Sequence, residues 1–354
     1  MHTISIVVPV YNEEKFIEAF YHSLAQQQNL DREQVEVLFI DGNSEDQTLS
    51  KLQALQRENE GFAIKILHNE KRYISSALNI GLKESTGTYI IRLDVHSTIP
   101  CDYISRIYKG LAEHASEYCN FGGRTVAKGY DKTSKVVAKA LSTKWVIGGA
   151  QFRFATTKME VDSLFPGAWL KQDLLTVGGW DEGWIINEDA ELNYRLRKAT
   201  DKKIMLDPDI VINYFPRNTV GKLGKQYFNY GYWRTKTANK HEQSMRFSHL
   251  LPFFALCALL FATGLALLSV NVFSYLLIGA GVCYLLYLTA MTISEFEKEE
   301  IPLAVVVIPV IQSAWILGAF KGYLVFGFPI KGYTRLLKDL VVSKWKIKVK
   351  GIAS

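Results

Sequence analysis

The first hundred residues alternate between two apolar patterns. Residues 4–10 form a continuous apolar run rich in β-branched side chains, as a strand buried on both faces requires. Over 13–28, Phe16, Phe20 and Leu24 recur four apart, the stripe of an amphipathic helix. Residues 35–40 repeat the strand pattern, and Leu49, Leu52 and Leu55 mark a second helix. A short strand over 63–67, a helix over 75–84 and a strand over 88–93 follow. Strand–helix alternation with short connections predicts parallel βαβ units: an α/β, Rossmann-like, mostly parallel sheet with helices on both faces. Such sheets bind ligands beyond the carboxyl ends of their strands. The first, second and fourth strands end at Tyr11, Asp41 and Asp94.

The pattern is weaker over 100–215. Gly122-Gly123, Gly148-Gly149 and Gly178-Gly179 mark turns or close approaches, 191–199 has helical spacing, and Asp207-Pro208-Asp209 opens a last apolar run over 210–214. Residues 249–328 change character. Two stretches, 249–270 and 272–293, each exceed 20 residues without a charge beyond the boundary histidine, and 302–328 is broken only by Lys321. At about 1.5 Å per residue each is long enough for a hydrocarbon core of roughly 30 Å. Arg234, Lys236, Lys240 and Arg246 precede the first stretch, and a tail from Lys331 to Lys350 is strongly basic. Both flanks are expected on the cytoplasmic side. Three crossings would separate them, so either one stretch is re-entrant or interfacial or the count is two or four. The tail around Trp345 suits a helix lying on the bilayer. The expected organisation is a domain over 1–235, a basic juxtamembrane segment over 236–248, an apolar region over 249–328 and a basic tail over 329–354.

Composition adjusts this picture in three places. The net charge of +6 gathers beside the apolar region, which argues for a membrane surface and against nucleic acid, since no basic groove interleaved with aromatics is present. The cysteines, Cys101, Cys119, Cys257 and Cys283, form no CxxC pair and suggest neither zinc nor a disulfide framework. Residues 4–10 are too short for a signal sequence and run straight into Asn12-Glu13-Glu14, so the N-terminal half is expected in the cytoplasm.

Four strings carry the candidate chemistry. Pro9-Val10-Tyr11-Asn12-Glu13 ends a strand and opens a helix. It can set backbone N–H groups and a ring against a flat heterocycle, or simply make a turn and an N-cap. Asp41, in Asp41-Gly42-Asn43-Ser44, can accept from a ribose hydroxyl or base N–H, or serve the turn. Arg72 precedes a helix and can pair with a diphosphate, or be a solvated surface charge. Asp94 and His96, two apart at a strand end, can share one side. A divalent cation held by Asp94, with His96 bound directly or through water, would neutralise a leaving diphosphate. Imidazole tilts the preference from Mg²⁺ toward Mn²⁺. Glu188 and Asp189 begin a predicted helix, where the dipole favours acids; Asp189 can also be a general base for a hydroxyl. Arg217, Gln226 and Tyr230 suit diphosphate, acceptor or lipid headgroups, or a plain juxtamembrane belt.

Taken in order, these strings resemble the family 2 glycosyltransferases of GT-A fold over about residues 3–235. The chain looks most like the membrane-attached, succinoglycan-type branch, through Asp94-Val95-His96, Glu188-Asp189-Ala190-Glu191-Leu192 and Gln226-Tyr227 with Tyr230-Gly231. The resemblance implies an inverting enzyme using a nucleotide-sugar, expected to be a UDP-sugar, and a divalent cation. It implies that Pro9, Tyr11, Glu13 and Asp41 contact the nucleotide with Arg72 nearby, that Asp94 anchors metal and diphosphate, and that Asp189 is the base. It also implies that Gly167, Ala168 and Trp169, within Phe165-Pro166-Gly167-Ala168-Trp169, line the donor sugar and acceptor. The chain departs from the family's paired Asp-Asp with Asp41-Gly42, and from its Asp-x-Asp with Asp94-x-His96.

The expected function is transfer of a sugar to a hydroxyl of a lipid-linked glycan in bacterial surface polysaccharide synthesis, from a multi-pass membrane protein. Its alternatives are a processive synthase, whose Gln-x-x-Arg-Trp acceptor motif is missing around Gln226, and a membrane scaffold with a decayed catalytic domain.

Overall fold

The computed structural model describes residues 2–58, 61–147, 153–251 and 270–350, with a few positions between 254 and 264. The chain divides into two compact units: Met1–Lys128 with Ala150–Pro216, and Gly129–Gly149 with Arg217–Ser354.

The first unit is built on one mixed sheet. Its strands are β1 (Ile4–Val10), β2 (Val35–Asp41), β3 (Ala63–His68), β4 (Tyr89–Arg92), β5 (Ser97–Thr98), β6 (Tyr118–Ala127), β7 (Met159–Glu160), β8 (Ala168–Leu170) and β9 (Lys203–Tyr214). The spatial order is β3-β2-β1-β4-β8-β6-β9-β5, with β7 on β9. The first four strands are parallel, with Ile4 opposite Val35 and Tyr89. β8 runs antiparallel to β4 and β6. The helices α1 (Ile17–Ala25), α2 (Thr48–Glu58), α3 (Ile74–Glu84), α4 (Tyr103–Glu113), α7 (Lys171–Thr176) and α8 (Glu188–Thr200) belong to this unit.

Alternate residues of β1 explain the two-sided burial. Ile6, Val8 and Val10 face a cluster with Phe20, Leu24 and Ile104, whereas Val7 faces one with Leu78, Leu174 and Trp169. Each cluster seals one face of the sheet, so polar chemistry is left to the strand ends. One buried polar exception within the strands is Glu36. It accepts from Ser5 Oγ (2.6 Å), Thr86 N (2.5 Å) and Lys65 Nζ (2.9 Å).

Two expectations change. The last strand begins at Lys203 rather than 210. Asp207-Pro208-Asp209 lies inside it as an irregularity, where pairing with β6 jumps from Gly123–Asp207 to Arg124–Val211; a proline has no N–H for the ladder. The first helix starts at Ile17 rather than 13, after a turn in which the Glu13 carbonyl accepts from Phe16 N and Ile17 N.

The second unit contains α5 (Lys132–Leu141), α6 (Lys144–Ile147), α9 (Val220–Lys240), α10 (Val270–Glu295), α11 (Ile301–Phe326) and α12 (Ile330–Lys350). The domain boundary expected at 235 lies inside α9. Two helical stretches, Ser274–Glu295 and Ile301–Phe326, are long and apolar enough to cross a membrane, with mean hydropathies of 2.0 and 2.2. The apolar stretch read over 249–270 falls largely outside the described residues.

Candidate active site

The carboxyl ends of β1 and β2 meet in a tight group of loops. The carboxylate of Asp41, 3% exposed, accepts from Ser44 N at 3.2 Å. Ser44 Oγ accepts in turn from Asn12 N (3.0 Å), and Asn12 Oδ1 from Glu45 N (2.8 Å). Asn12, Asn43 and Arg72 all have positive φ, at 54°, 62° and 60°. Three non-glycine residues held this way in one neighbourhood are strained, and the surrounding bonds must enforce them. The arrangement leaves Tyr11 42% exposed, with the Arg72 guanidinium 5.7 Å from its ring centroid. An exposed ring beside a guanidinium offers a stacking face; that guanidinium is itself paired with Glu45 at 2.9 Å, so a diphosphate would have to compete with this carboxylate for it.

Beyond β4 lies a second group, organised by a buried cation. Arg92 is 2% exposed in the last position of that strand. Its Nε donates to Asp94 Oδ1 (3.1 Å) and its Nη1 to Glu188 Oε1 (2.8 Å). The guanidinium carbon sits 4.5 Å from the Phe165 ring centroid. Burial would lower the pKa of this arginine. The charges of Asp94, Glu188 and Asp189 outweigh burial and raise it, so Arg92 stays protonated. Burial pushes Glu188 the other way for a carboxylic acid, up to about 7; Arg92 opposes that rise and Asp189 adds to it. Glu188, Asp189 and Glu191 form the acidic first turn of α8, whose N-terminal dipole favours them. Glu191 is turned into the protein, where it accepts from Arg195 Nε at 2.7 Å. Asp189 remains part-exposed.

His96 follows Asp94 in the short turn before β5. Its Nδ1 pairs with Glu13 Oε1 at 3.2 Å, and its ring packs edge-on to Tyr214. Glu13, expected against the nucleotide, is thus placed against the imidazole.

Residues 5–169 match the domain described as Glycosyl transferase family 2. Over 330 residues the chain is 31% identical to succinoglycan biosynthesis protein ExoA of Rhizobium meliloti (strain 1021), covering 91% of this chain and 95% of that one. The chain belongs to glycosyl transferase family 2. A further relative, 29% identical over 65% of this chain and 72% of its own, is the dolichyl N-acetyl-alpha-D-glucosaminyl phosphate 3-beta-D-2,3-diacetamido-2,3-dideoxy-beta-D-glucuronosyltransferase of Methanococcus voltae. Among solved structures, the mannosyltransferase PcManGT from Pyrobaculum calidifontis, in complex with GDP-Man and Mn²⁺, superposes with a TM-score of 0.60 at 17% identity, over 90% of this chain and 86% of that one. That likeness is one of fold, and the first unit is a GT-A-type α/β domain.

Within the family 2 domain, the residues read from sequence separate into groups. Pro9, Tyr11 and Asp41 cluster at the ends of β1 and β2 with Arg72 beside Tyr11; Asp94 and Glu188 meet on Arg92. The segment Phe165-Pro166-Gly167-Ala168-Trp169 divides. Phe165 lies on the guanidinium. Gly167 offers its carbonyl to Arg92 N at 3.0 Å and is too close to the Asn120 side chain for a Cβ. Ala168 and Trp169 are each 1% exposed, Ala168 opposite Ile91 and Trp169 against Trp180. β8 runs through the middle of the sheet, and these two side chains pack into the core on its opposite faces. Arg217, Gln226 and Tyr230 fall in the second unit, Arg217 just before α9 and the other two on it, where Gln226 Nε2 donates to Tyr230 Oη at 2.8 Å.

Arg92 is the residue that sequence reading missed. Its signal was one charged side chain inside the apolar run Tyr89-Ile90-Ile91-Arg92-Leu93, where a buried cation demands carboxylate partners.

The donor set suits a divalent cation. Arg92 occupies only Oδ1 of Asp94, and Glu13 Oε1 lies 3.2 Å from Nδ1 of His96, the ring nitrogen away from Nε2. A carboxylate that orients a histidine through its far nitrogen is the usual second shell of a metal-bound imidazole. Among the described residues no group of three or more His, Cys, Asp or Glu side chains could hold a metal, so Asp94 and His96 would need ligands from the substrate.

Proposed function

We propose that this family 2 glycosyltransferase is inverting, and moves a sugar from a UDP-sugar to a hydroxyl of a lipid-linked glycan at the cytoplasmic face of a bacterial membrane, in surface polysaccharide synthesis. The reading is supported by one observation above the rest. A single guanidinium, Arg92, binds both Asp94 and Glu188, so the carboxylate assigned to the diphosphate stands beside the helix start that carries Asp189. Succinoglycan synthesis in one relative's name, and a dolichyl phosphate acceptor in another's, support the polysaccharide and lipid-linked parts.

In this mechanism Tyr11 stacks on the base, Asp41 accepts from the nucleoside and Arg72 pairs with the diphosphate. Asp94 and His96 would hold a Mn²⁺ or Mg²⁺ ion, which would supply charge neutralisation for the departing diphosphate. Asp189 accepts the proton of the acceptor hydroxyl while its oxygen bonds to the anomeric carbon. The carbon–oxygen bond to the diphosphate breaks in the same displacement, and the diphosphate leaves with the electron pair. Glu188 is unsuited to the base role because it is buried and fastened to Arg92. It instead fixes the first turn of α8, and so the position of Asp189.

The test is Asp189→Asn in the full-length protein, with donor turnover and UDP binding measured in parallel. Turnover should fall by about 10²–10⁴, the usual worth of general-base catalysis, with UDP binding unchanged. Retained turnover removes Asp189 from the base role.

A further inference from the structure

α11 passes as a membrane span on length and hydropathy alone, but its packing argues otherwise. It lies alongside α9 in the same direction. Val310 meets Gly224, the Phe228 carbonyl meets Gly318, Gly231 meets the Trp315 carbonyl, and Gly322 meets Thr235. At the far end Asn239 Nδ2 donates to the Gly327 carbonyl at 2.7 Å. The small residues on both helices let the backbones approach closely. From Gly224 to Asn239 the shared length is about 22 Å, at about 1.5 Å per residue.

α9 is not a membrane-spanning sequence. It carries Lys222, Lys225, Arg234, Lys236 and Lys240 and no acidic residue. Its longest uncharged stretch, Gln226 to Trp233, covers about 12 Å, well short of a hydrocarbon core of about 30 Å. If α11 stood upright in the bilayer, α9 would stand with it, and its cations would be drawn through the core with no acidic residue on their own helix. The other end of α11 is likewise tied to polar protein: Glu300, at its N-cap, pairs with Lys139 of α5 at 2.7 Å.

The face of α11 turned away from α9 is apolar and uncovered. Val306, Leu317 and Leu324, eleven and then seven residues apart, share one side of the helix and are 46%, 57% and 88% exposed. Cations and aromatic rings border it. Lys321 Nζ is 5.8 and 5.6 Å from the Phe228 and Tyr232 ring centroids, and Lys236 Nζ is 5.1 Å from that of Trp233. α11 by itself is largely apolar on all sides; it is the pair that is two-faced, α9 supplying the cationic side and α11 the apolar one, as a layer lying in the headgroup region of an anionic bilayer requires.

We infer that α9 and α11 together form a platform lying in the plane of the membrane surface, with α11 half-immersed through Val306, Leu317 and Leu324 and not crossing. The inference rests on the membrane attachment proposed above and settles its charge conflict. With α11 taken out, two of the three apolar stretches counted in the sequence remain, and an even number returns the basic flank before 249 and the basic tail to one side.

The experiment uses the full-length chain in vesicles containing phosphatidylglycerol, with Cys101, Cys257 and Cys283 replaced, and a spin label at Val306→Cys or Leu324→Cys. Immersion depth is read from oxygen and nickel-chelate accessibility, and UDP binding checks that each variant is folded. Both labels are expected at one shallow depth, about 5–10 Å into the headgroup–acyl boundary. A crossing helix would instead separate them by up to about 27 Å, eighteen residues at about 1.5 Å each, and that result overturns the inference while leaving membrane attachment intact. Two water-exposed labels overturn the inference as well. Flotation of the same vesicles then shows whether attachment itself has failed, because a detached protein stays at the bottom of the gradient.

Discussion

Arg92→Met is the sharpest probe of the site, because its effect on stability has a defined size and a defined pH dependence. The side chain is 2% exposed and makes two ion pairs, at 3.1 and 2.8 Å. Methionine fills similar apolar volume but leaves Asp94, Glu188 and Asp189 without their shared cation. Breaking a buried pair from one side costs about 3–5 kcal/mol, or roughly 6–20 °C in Tm at about 2–4 °C per kcal/mol for a domain of this size. Glu188 fixes the sign of the pH effect. Its folded pKa, about 7, lies above the ordinary 4.5, so folding favours its protonated form. That contribution is full below pH 4.5 and is lost as pH rises through 7. Without Arg92 the main opposition to the rise is gone, the loss extends to higher pH, and the variant falls further behind the parent at pH 8 than at pH 6. Thermal unfolding of the detergent-solubilised full-length protein at both pH values reads this out. Adding Glu188→Gln should recover much of the loss at pH 8, since it removes the charge that Arg92 neutralised. A drop under 2 °C, or one equal at the two pH values, would refute the account.

Two further outcomes follow from the same reasoning. Tyr11→Ala should weaken UDP binding about tenfold or more, because stacking of a base on an aromatic ring contributes roughly 1–3 kcal/mol; an unchanged Kd by calorimetry removes Tyr11 from the base-binding role. Burial pushes the Glu36 carboxyl up, but the donors Ser5, Thr86 and Lys65 more than reverse it and hold it down at about 2, so its stabilisation is present above pH 4.5 and lost as pH falls toward 2. Glu36→Gln should flatten the decline of Tm between pH 5 and pH 3, and an unaltered slope would contradict the assignment.

The legible part of this chain is the part where local pattern and tertiary burial agree. β1, β2 and β4 are buried on both faces, so their sequences are largely apolar, and their carboxyl ends could be located from the pattern. The middle of the chain resists because its strands are short and depend on distant partners. β7 and β8 have two and three residues, too few for a period, and β8 is fixed in place by Asn120, whose Oδ1 accepts from Ala168 N at 3.2 Å while its Nδ2 donates to Asn193. Only the family resemblance of its segment sets Trp169 beside the sugar; nothing in its own spacing shows that its side chain is 1% exposed in the middle of the sheet. Arg92 failed to register for the converse reason. A lone arginine in a strand gives no spacing to read, and its two partners lie 2 and 96 residues away. Positive φ at Asn12, Asn43 and Arg72 is also invisible in composition, since only the closed loop forces it.

The proposed metal site has an incomplete donor set, and that carries a functional consequence. Asp94 and His96 offer one carboxylate and one imidazole, and a hard divalent ion takes about six ligands. Most of the remaining positions must be filled by water or by the diphosphate. The ion and the nucleotide therefore share a coupling free energy, and linkage requires each to tighten the other by the same factor. Mn²⁺ alone should bind weakly, while UDP should raise its affinity by roughly 5–150-fold, the range of typical coupling energies, with Mn²⁺ raising UDP affinity equally. Calorimetric titration of each ligand with and without the other measures both factors. Glu13→Gln separates this arrangement from one in which Glu13 contacts the nucleotide. Loosening the imidazole should weaken Mn²⁺ binding in the presence of UDP and leave metal-free UDP binding as it was, whereas a direct nucleotide contact predicts that metal-free binding falls too. Tight Mn²⁺ binding without nucleotide would mean that protein groups other than Asp94 and His96 complete the shell. With two protein donors only, the proposed ion would be held firmly while the diphosphate is present and would leave with the spent nucleotide, so transfer should vanish in EDTA and return when Mn²⁺ and donor are supplied together.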